Sequence, residues 1–164
     1  MKKRRKRGII MARKSFNEKL KQNKDLPKVV QVTDPKSVMR YGGDKMLVAP
    51  PLAYDEQMRR VPEGKVITAD YLRSYLAQKH EADFTCPLTA GIFINIAAHA
   101  SAERGEDPTP YWRTLKKDGR LNEKYPEGIQ GHKTFLEREG HTVIQKGNTY
   151  YVKDYQDKEF DLNS

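Results

Sequence analysis

The hydrophobic pattern is clearest in the second half of the chain, where short apolar runs alternate with turn residues. The stretch VPEGKVIT contains a Pro-Glu-Gly turn followed by two β-branched residues at 66–67, which predicts a short strand. Leu72, Tyr75 and Leu76 then fall at the spacing of one helix face. A helix is therefore predicted here, with Thr68 as its N-cap.

A second helix is predicted directly after the first. The stretch CPLTAGIFINIAAHASAERG is apolar on almost all sides as far as Ile96, so we expect this helix to be deeply buried. Pro87 suits its first turn, and Gly105 ends it. Its N-cap is Thr85 or Cys86. Two helices joined by a short polar segment predict a helix-turn-helix.

The last third of the chain predicts one more helix and a hairpin. The segment YPEGIQGHKTFLEREG predicts a helix from Ile129 to about Glu139 that Gly140 closes. Residues 142–145 and 149–153 flank a Lys-Gly-Asn turn with alternating side chains, as the strands of a hairpin do. The predicted fold class is therefore mainly α with a small β-hairpin, in the order of a winged helix-turn-helix.

The first 60 residues give weaker signals. Residues 1–30 are rich in lysine and poor in apolar side chains, which predicts a basic tail that is disordered or loosely helical. Asp34 and Pro35 then favour a short helix that ends at Gly42. The stretch KMLVAPPL contains two prolines, so it predicts an extended stretch or a sheet edge rather than a central strand, and YDEQMRRV predicts one or two helical turns. The predicted organisation is a basic disordered tail over 1–30, an approach segment over 31–60, the winged domain over 61–155 and a C-terminal tail over 156–164.

The net charge of +9 is concentrated at one end of the chain. Residues 1–30 hold twelve Lys and Arg against Glu18 and Asp25, whereas residues 31–164 hold nineteen basic and twenty acidic side chains. This excess of positive charge attracts a polyanion such as nucleic acid, or simply keeps the chain in solution. A translation start at Met11 would remove six of these charges.

The composition favours a soluble, cytoplasmic protein. The 164 residues include a single cysteine, Cys86, which excludes an intrachain disulfide and suits a reducing compartment. No apolar run approaches the roughly 20 residues that a membrane span needs. The four histidines have no metal-like spacing, and the chain has no glycine-rich phosphate loop. No metal, cofactor or membrane partner is predicted, and the oligomeric state is left open.

Four motifs follow one another between residues 61 and 141: VPEGKVIT, CPLTAGIFI, PYWR and DGRLNEKYPEGIQGHKTFLEREG. In this order they resemble the C-terminal domain of the alkylguanine-DNA alkyltransferases, the methylated-DNA–protein-cysteine methyltransferase family. Active members have PCHR where this chain has PYWR, and members of the alkyltransferase-like branch have PWHR. The resemblance covers about half the chain. It implies a domain that binds duplex DNA through the minor groove and turns a damaged guanine out into a pocket.

The resemblance also implies that the transfer chemistry is lost. Tyr111 stands where the acceptor cysteine would be, and a tyrosine hydroxyl is a poor nucleophile at neutral pH. Trp112 stands where the histidine base would be, and an indole nitrogen only donates. The base pocket that the resemblance implies consists of Tyr111, Trp112, Arg113, Tyr125 and Glu139. The aromatic pair either lines that pocket or packs beneath the final helix.

The DNA contact that the resemblance implies lies on the second helix. Its first turns contain small residues, which allow close approach to a nucleic-acid backbone or to another helix. Gly91 occupies the place of the arginine that active members insert into the base stack, and Ala69 replaces a pocket tyrosine. Basic residues after the PYWR motif flank a turn that is predicted at Asp118 and Gly119, and they suit phosphate contacts or a solvated loop. The predicted DNA-binding residues are Thr89, Ala90, Gly91, Lys116, Lys117 and Arg120.

Three functions are open at this point. The first is a non-catalytic alkyltransferase-like protein that recognises alkylated or flipped bases in duplex DNA and hands them to repair proteins. The second is a binding adaptor that uses the same fold for RNA, a ribosome surface or another protein. The third is an alkyltransferase that uses Cys86, which precedes a helix N-terminus where a thiolate is favoured.

Overall fold

The protein is described by a computed structural model that covers residues 13–164. Short 3-10 turns occur at Tyr111–Arg113, Lys117–Gly119 and Tyr155–Lys158. The predicted class, mainly α with a small β-hairpin, is confirmed. The helices of the described part are α1 (Phe16–Leu20), α2 (Pro35–Tyr41), α3 (Pro51–Met58), α4 (Ala69–Lys79), α5 (Pro87–Arg104) and α6 (Gly128–Arg138). Its strands are β1 (Lys28–Gln31), β2 (Lys45–Val48), β3 (Ile67–Thr68), β4 (Phe84–Thr85), β5 (Thr114–Leu115), β6 (Val143–Lys146) and β7 (Thr149–Val152).

Helix α4 begins where the sequence predicts, and α5 both begins and ends where it predicts. The Thr68 hydroxyl accepts a hydrogen bond from the backbone N–H of Tyr71, and Gly105 ends α5 in a left-handed conformation with φ of 71°. The expected deep burial of α5 is wrong on one face, because Leu88 is 72% exposed and Ile92 is 48% exposed. An apolar sequence does not distinguish a core face from a face that is available to a partner.

Strand β2 is the centre of a three-stranded sheet that the sequence does not predict. It pairs with β1 in antiparallel and with β4 in parallel orientation. The expectation of a sheet edge is therefore wrong. The reason is that Pro50 and Pro51 follow the strand, so neither removes a donor from its ladder. Instead, Pro50 is the N-cap of α3 and Pro51 its first residue, where proline fits.

In the segment expected to be disordered or loosely helical, residues 13–30 contain helix α1 and strand β1. Helix α1 has a capping box in which Ser15 and Glu18 each accept a hydrogen bond from the other's backbone N–H. The N–H groups of Phe16 and Asn17 donate to the Glu103 carboxylate of α5, both at 3.1 Å. The six basic residues before residue 8 lie outside the described residues.

Two apolar clusters form the core. The larger one surrounds the buried face of α5 and includes Leu47, Tyr54 and Leu72 from the preceding elements. The smaller one lies beneath the β6–β7 hairpin and includes Val66, Leu115, Leu121, Leu136 and Val152. Trp112 packs against both clusters and so connects the helix-turn-helix to the hairpin.

The last residues of the chain are held against the domain, which corrects the expected C-terminal tail over 156–164. The backbone of Val66 donates to Lys158 at 2.9 Å and accepts from Phe160 at 2.8 Å. Leu162 is 1% exposed, and its carbonyl accepts from the Arg60 guanidinium at 2.8 Å. This segment therefore completes the core beside α4.

Candidate nucleic-acid interface

A groove of about 500 Å³ lies between the N-terminal half of α5 and the segment 115–125. Five of the six predicted DNA-binding residues line it, namely Ala90, Gly91, Lys116, Lys117 and Arg120. The sixth, Thr89, lies outside the lining, and its hydroxyl donates to the Cys86 carbonyl at 3.4 Å. Most of the predicted DNA-binding residues therefore share one concave surface. The groove is further lined by Ala69, Arg73, Leu88, Ile92, Asn95, Glu123, Lys124 and Tyr125.

The groove is predominantly basic. Five Lys and Arg side chains line it against one carboxylate, that of Glu123. Lys116 pairs with Glu123 at 3.3 Å, but both side chains are well exposed, so this pair adds little stability. Such a surface suits phosphate groups, which are the usual partners of clustered Lys and Arg in nucleic-acid binding.

A tight turn positions these cations. Asp118 and Gly119 have φ values of 65° and 80°, and the Lys116 N–H donates to the Arg120 carbonyl at 2.8 Å. The Tyr155 ring lies where a Cβ on Gly119 would lie, so only glycine fits there. The turn that the sequence predicts at Asp-Gly therefore holds the two ends of the basic loop together.

Tyr125 forms the aromatic end of the groove. Its hydroxyl donates to the Thr114 carbonyl at 2.7 Å, and the residue is 2% exposed. Tyr111 does not line the groove and lies one layer behind, with its ring edge-on to Tyr125 at 5.1 Å. Burial raises the pKa of the Tyr111 hydroxyl, so the phenol remains protonated at neutral pH. Of the predicted aromatic residues, Tyr125 is thus the one that reaches the groove.

Trp112, Arg113 and Glu139 form a brace behind the groove rather than part of its lining. The Trp112 ring stacks on Phe135 of α6 at 4.4 Å, so the tryptophan packs beneath the final helix. The Glu139 carboxylate accepts from Trp112 Nε1 at 3.0 Å and from Arg113 Nη2 at 2.7 Å. Arg113 also donates to the Val61 carbonyl at 2.8 Å. These bonds tie the 3-10 turn at 111–113 to the end of α6 and to the turn before β3.

The charge of Glu139 depends on this brace. Burial alone would raise the pKa of its carboxyl, but hydrogen bonds from Arg113, Trp112 and the Gly64 N–H lower the pKa overall. The carboxylate is therefore ionised at neutral pH and balances the guanidinium, whose side chain is 15% exposed. Arg113 and Glu139 therefore form an ion pair that supports the fold.

His132 is a further brace that the sequence reasoning missed. It is fully buried, its Nδ1 accepts from the Asn122 N–H at 3.0 Å, and its Nε2 donates to the Trp112 carbonyl at 2.8 Å. This arrangement fixes the neutral ring, and burial lowers its pKa to about 4. The spacing in the sequence could have indicated the burial of His132, because this residue precedes Leu136 by four positions and so lies on the same face of α6.

Cys86, the chain's single thiol, is at the N-cap of α5 and does not line the groove. Its backbone N–H donates to the Leu47 carbonyl at 2.9 Å, which ties the start of α5 to β2. Among residues 13–164, no group of three or more His, Cys, Asp or Glu side chains has a geometry suited to a metal ion. None of the helices in this described range is both long and apolar enough to span a bilayer.

The fold and the groove define a small helix-turn-helix protein with a basic surface along its second helix. The chain matches no protein-family model and no curated protein. Two solved structures share its fold: S. pombe Atl1 in complex with damaged DNA containing O6-carboxymethylguanine, and S. pombe ATL in complex with DNA. Each is 20% identical to this chain with a TM-score of 0.52, over 68% of this chain and 94% of the neighbour. At this identity the likeness shows the fold.

Proposed function

We propose that the protein is an alkyltransferase-like protein that binds duplex DNA along α5 and holds an alkylated or extruded base without reacting with it. The observation that carries this proposal is the basic groove beside α5, on a fold shared with proteins crystallised on DNA. Leu88 and Ile92 expose apolar side chains at the rim of the groove, where they suit contact with unstacked bases.

Inside the groove, Asn95 is the group suited to a base. The Asn95 Oδ1 accepts from the Asn122 amide at 3.1 Å, which orients the Asn95 amide nitrogen as a donor. This nitrogen has no hydrogen-bond partner among the described residues, so it is available to an acceptor on a base edge. Tyr125 bounds the inner end of the groove, but it is 2% exposed, so it shapes the site rather than stacking on a base.

The absence of a reaction is also part of the proposal. An alkyl acceptor must be a nucleophile with a base within hydrogen-bonding reach. The hydroxyl of Tyr111 is held in its protonated form, and the neighbouring Trp112 nitrogen donates its hydrogen bond to Glu139. Cys86 lies outside the groove lining. A held base would therefore stay unmodified and available to other repair proteins.

The test is a titration of the full chain with duplexes that contain guanine or O6-alkylguanine, at two salt concentrations. We expect tighter binding to the alkylated duplex, together with a salt-dependent component from phosphate contacts. The variant Asn95→Ala should reduce the preference for the alkylated duplex by about fivefold or more, since one hydrogen bond is worth about 1 kcal/mol. The variant Gln130→Ala, at an exposed position of α6, is the control.

The apolar rim also favours a second function, an adaptor that binds RNA, a ribosome surface or another protein. Exposed apolar residues such as Leu88 and Ile92 mark protein contacts as often as nucleic-acid contacts. If the titration shows no binding to either duplex, the DNA proposal is wrong and the adaptor is favoured. Binding of both duplexes with equal affinity would refute base recognition but retain DNA binding.

A further inference from the structure

A second concave surface lies on the other side of α5. It has a volume of about 350 Å³, and Phe93 and Ile96 of α5 form its apolar floor. Lys14, Lys19 and Lys24, from the segment around α1, surround this floor. We call the three lysines the α1 lysine cluster. Among residues 13–164, no carboxylate lines this surface.

Helix α1, which contains Lys19, is attached to the end of α5. In addition to its two bonds from the start of α1, Glu103 accepts from the Asn17 side chain at 2.8 Å, and Arg104 donates to that side chain at 2.8 Å. Leu20 is 4% exposed and belongs to the core around α5. Within the described residues the three lysines form no ion pair, and the Lys19 ammonium lies 5.0 Å from the Phe16 ring. These contacts hold α1, and with it Lys19, beside α5, while Lys14 and Lys24 flank the helix.

The two concave surfaces lie on opposite sides of α5. Leu88, Ile92 and Ile96 follow one another at intervals of four and form a ridge along the helix. Gly91 on one side of this ridge lines the basic groove, whereas Phe93 on the other side lines the second surface. The exposed part of α5 thus has cations on both flanks.

We propose that the α1 lysine cluster binds the phosphates of the second DNA strand, opposite the strand that contacts Lys116, Lys117 and Arg120. This inference rests on the proposed binding of duplex DNA along α5. A helix that enters a groove of a duplex has a sugar-phosphate strand on each flank, and Lys is a common phosphate ligand. The segment before the helix-turn-helix would then complete the DNA footprint instead of acting only as a solubilising extension.

The test compares two variants of the full chain on an undamaged duplex. One variant neutralises the α1 lysine cluster, as Lys14→Gln, Lys19→Gln and Lys24→Gln. The control neutralises three exposed lysines that line neither surface, as Lys65→Gln, Lys79→Gln and Lys153→Gln. Both variants lose the same net charge, so a general electrostatic effect is equal in both. Thermal unfolding checks that each variant keeps its fold.

Counterion release gives the expected result. Each phosphate contact contributes about 0.9 to the slope of log affinity against log salt, so loss of three contacts flattens this slope by about 2.7. Between 50 and 200 mM salt, the wild-type protein should therefore lose about 40-fold more affinity than the cluster variant. The control variant should keep the wild-type slope.

The outcomes separate this inference from the proposed function. If the wild-type protein binds the duplex but both variants have the same slope, the inference is wrong and the proposed function stands. If the wild-type protein binds no duplex DNA, both are wrong. A flatter slope for the cluster variant alone supports the second-strand contact.

Discussion

Gly91 offers the most direct test of whether the exposed face of α5 meets DNA. It is the fifth residue of α5, it is exposed, and a Cβ built on it would meet nothing within 4 Å. Glycine inside a helix costs about 0.5–1 kcal/mol relative to alanine. We therefore expect Gly91→Ala to raise the melting temperature by about 1–4 °C, since 1 kcal/mol corresponds to about 2–4 °C in a chain of this size.

Gly91→Arg adds a cation at the position that corresponds, by the resemblance, to an arginine of the active alkyltransferases. We expect a similar rise in melting temperature, because the long side chain extends into open space. If α5 contacts DNA, affinity for duplex DNA should increase, and the salt slope should become steeper by about 0.9 for one further phosphate contact. Gly91→Ala is the matched control, since it changes the helix but adds no charge.

The measurements are thermal unfolding by circular dichroism and fluorescence anisotropy with a labelled duplex. A fall in melting temperature for Gly91→Arg would contradict the open space around this position. A stable Gly91→Arg variant with unchanged affinity and an unchanged slope would refute the placement of DNA along α5, and with it the proposed use of the groove.

Three further predictions concern His132, Glu139 and Cys86. The pKa of His132 is about 4 in the folded protein and near 6.5 in the unfolded chain, so the unfolded chain takes up the proton first as the pH falls. The free energy of unfolding should therefore fall by about 2 kcal/mol between pH 7 and pH 5. Urea titrations should show this fall, and His132→Gln should reduce its pH dependence to the part due to His141, whose pKa burial also lowers. Glu139→Gln leaves the Arg113 charge without its partner and should cost about 3 kcal/mol in the same assay, whereas an unchanged stability would contradict the brace. Intact-mass measurement after incubation with O6-alkylguanine duplex should show no added alkyl group, and a mass gain at Cys86 would establish a transferase instead.

Local patterns predicted the elements in which neighbouring residues decide the structure. The N-cap at Thr68, the left-handed end at Gly105 and the Asp-Gly turn at 118–119 depend on a few adjacent residues, and each is present. The sheet and α1 depend instead on distant partners. Strand β2 pairs with residues 84–85, and α1 is held by Glu103, more than 80 positions away. A hydrophobic pattern within a stretch of about 30 residues cannot reveal such distant partners.

The same distinction applies to the candidate site. The resemblance predicted DNA contact for the small residues of α5, the charges predicted it for the basic loop, and the structure brings five of these six residues into one groove. The resemblance also placed Trp112, Arg113 and Glu139 in a pocket, whereas the structure joins them in an ion-paired brace beneath α6. The side-chain direction within a 3-10 turn depends on what packs beside it, here Phe135, and the motif alone does not specify that neighbour.

Helix α5 is anchored at both ends by the first half of the chain. Its start hydrogen-bonds to β2 through Leu47, and its last turn binds α1 through Glu103. Helix ends usually fray and exchange their amide hydrogens quickly. Here the terminal turns of α5 should exchange nearly as slowly as its middle, and a fragment that begins after β2 should lose this protection at both ends together.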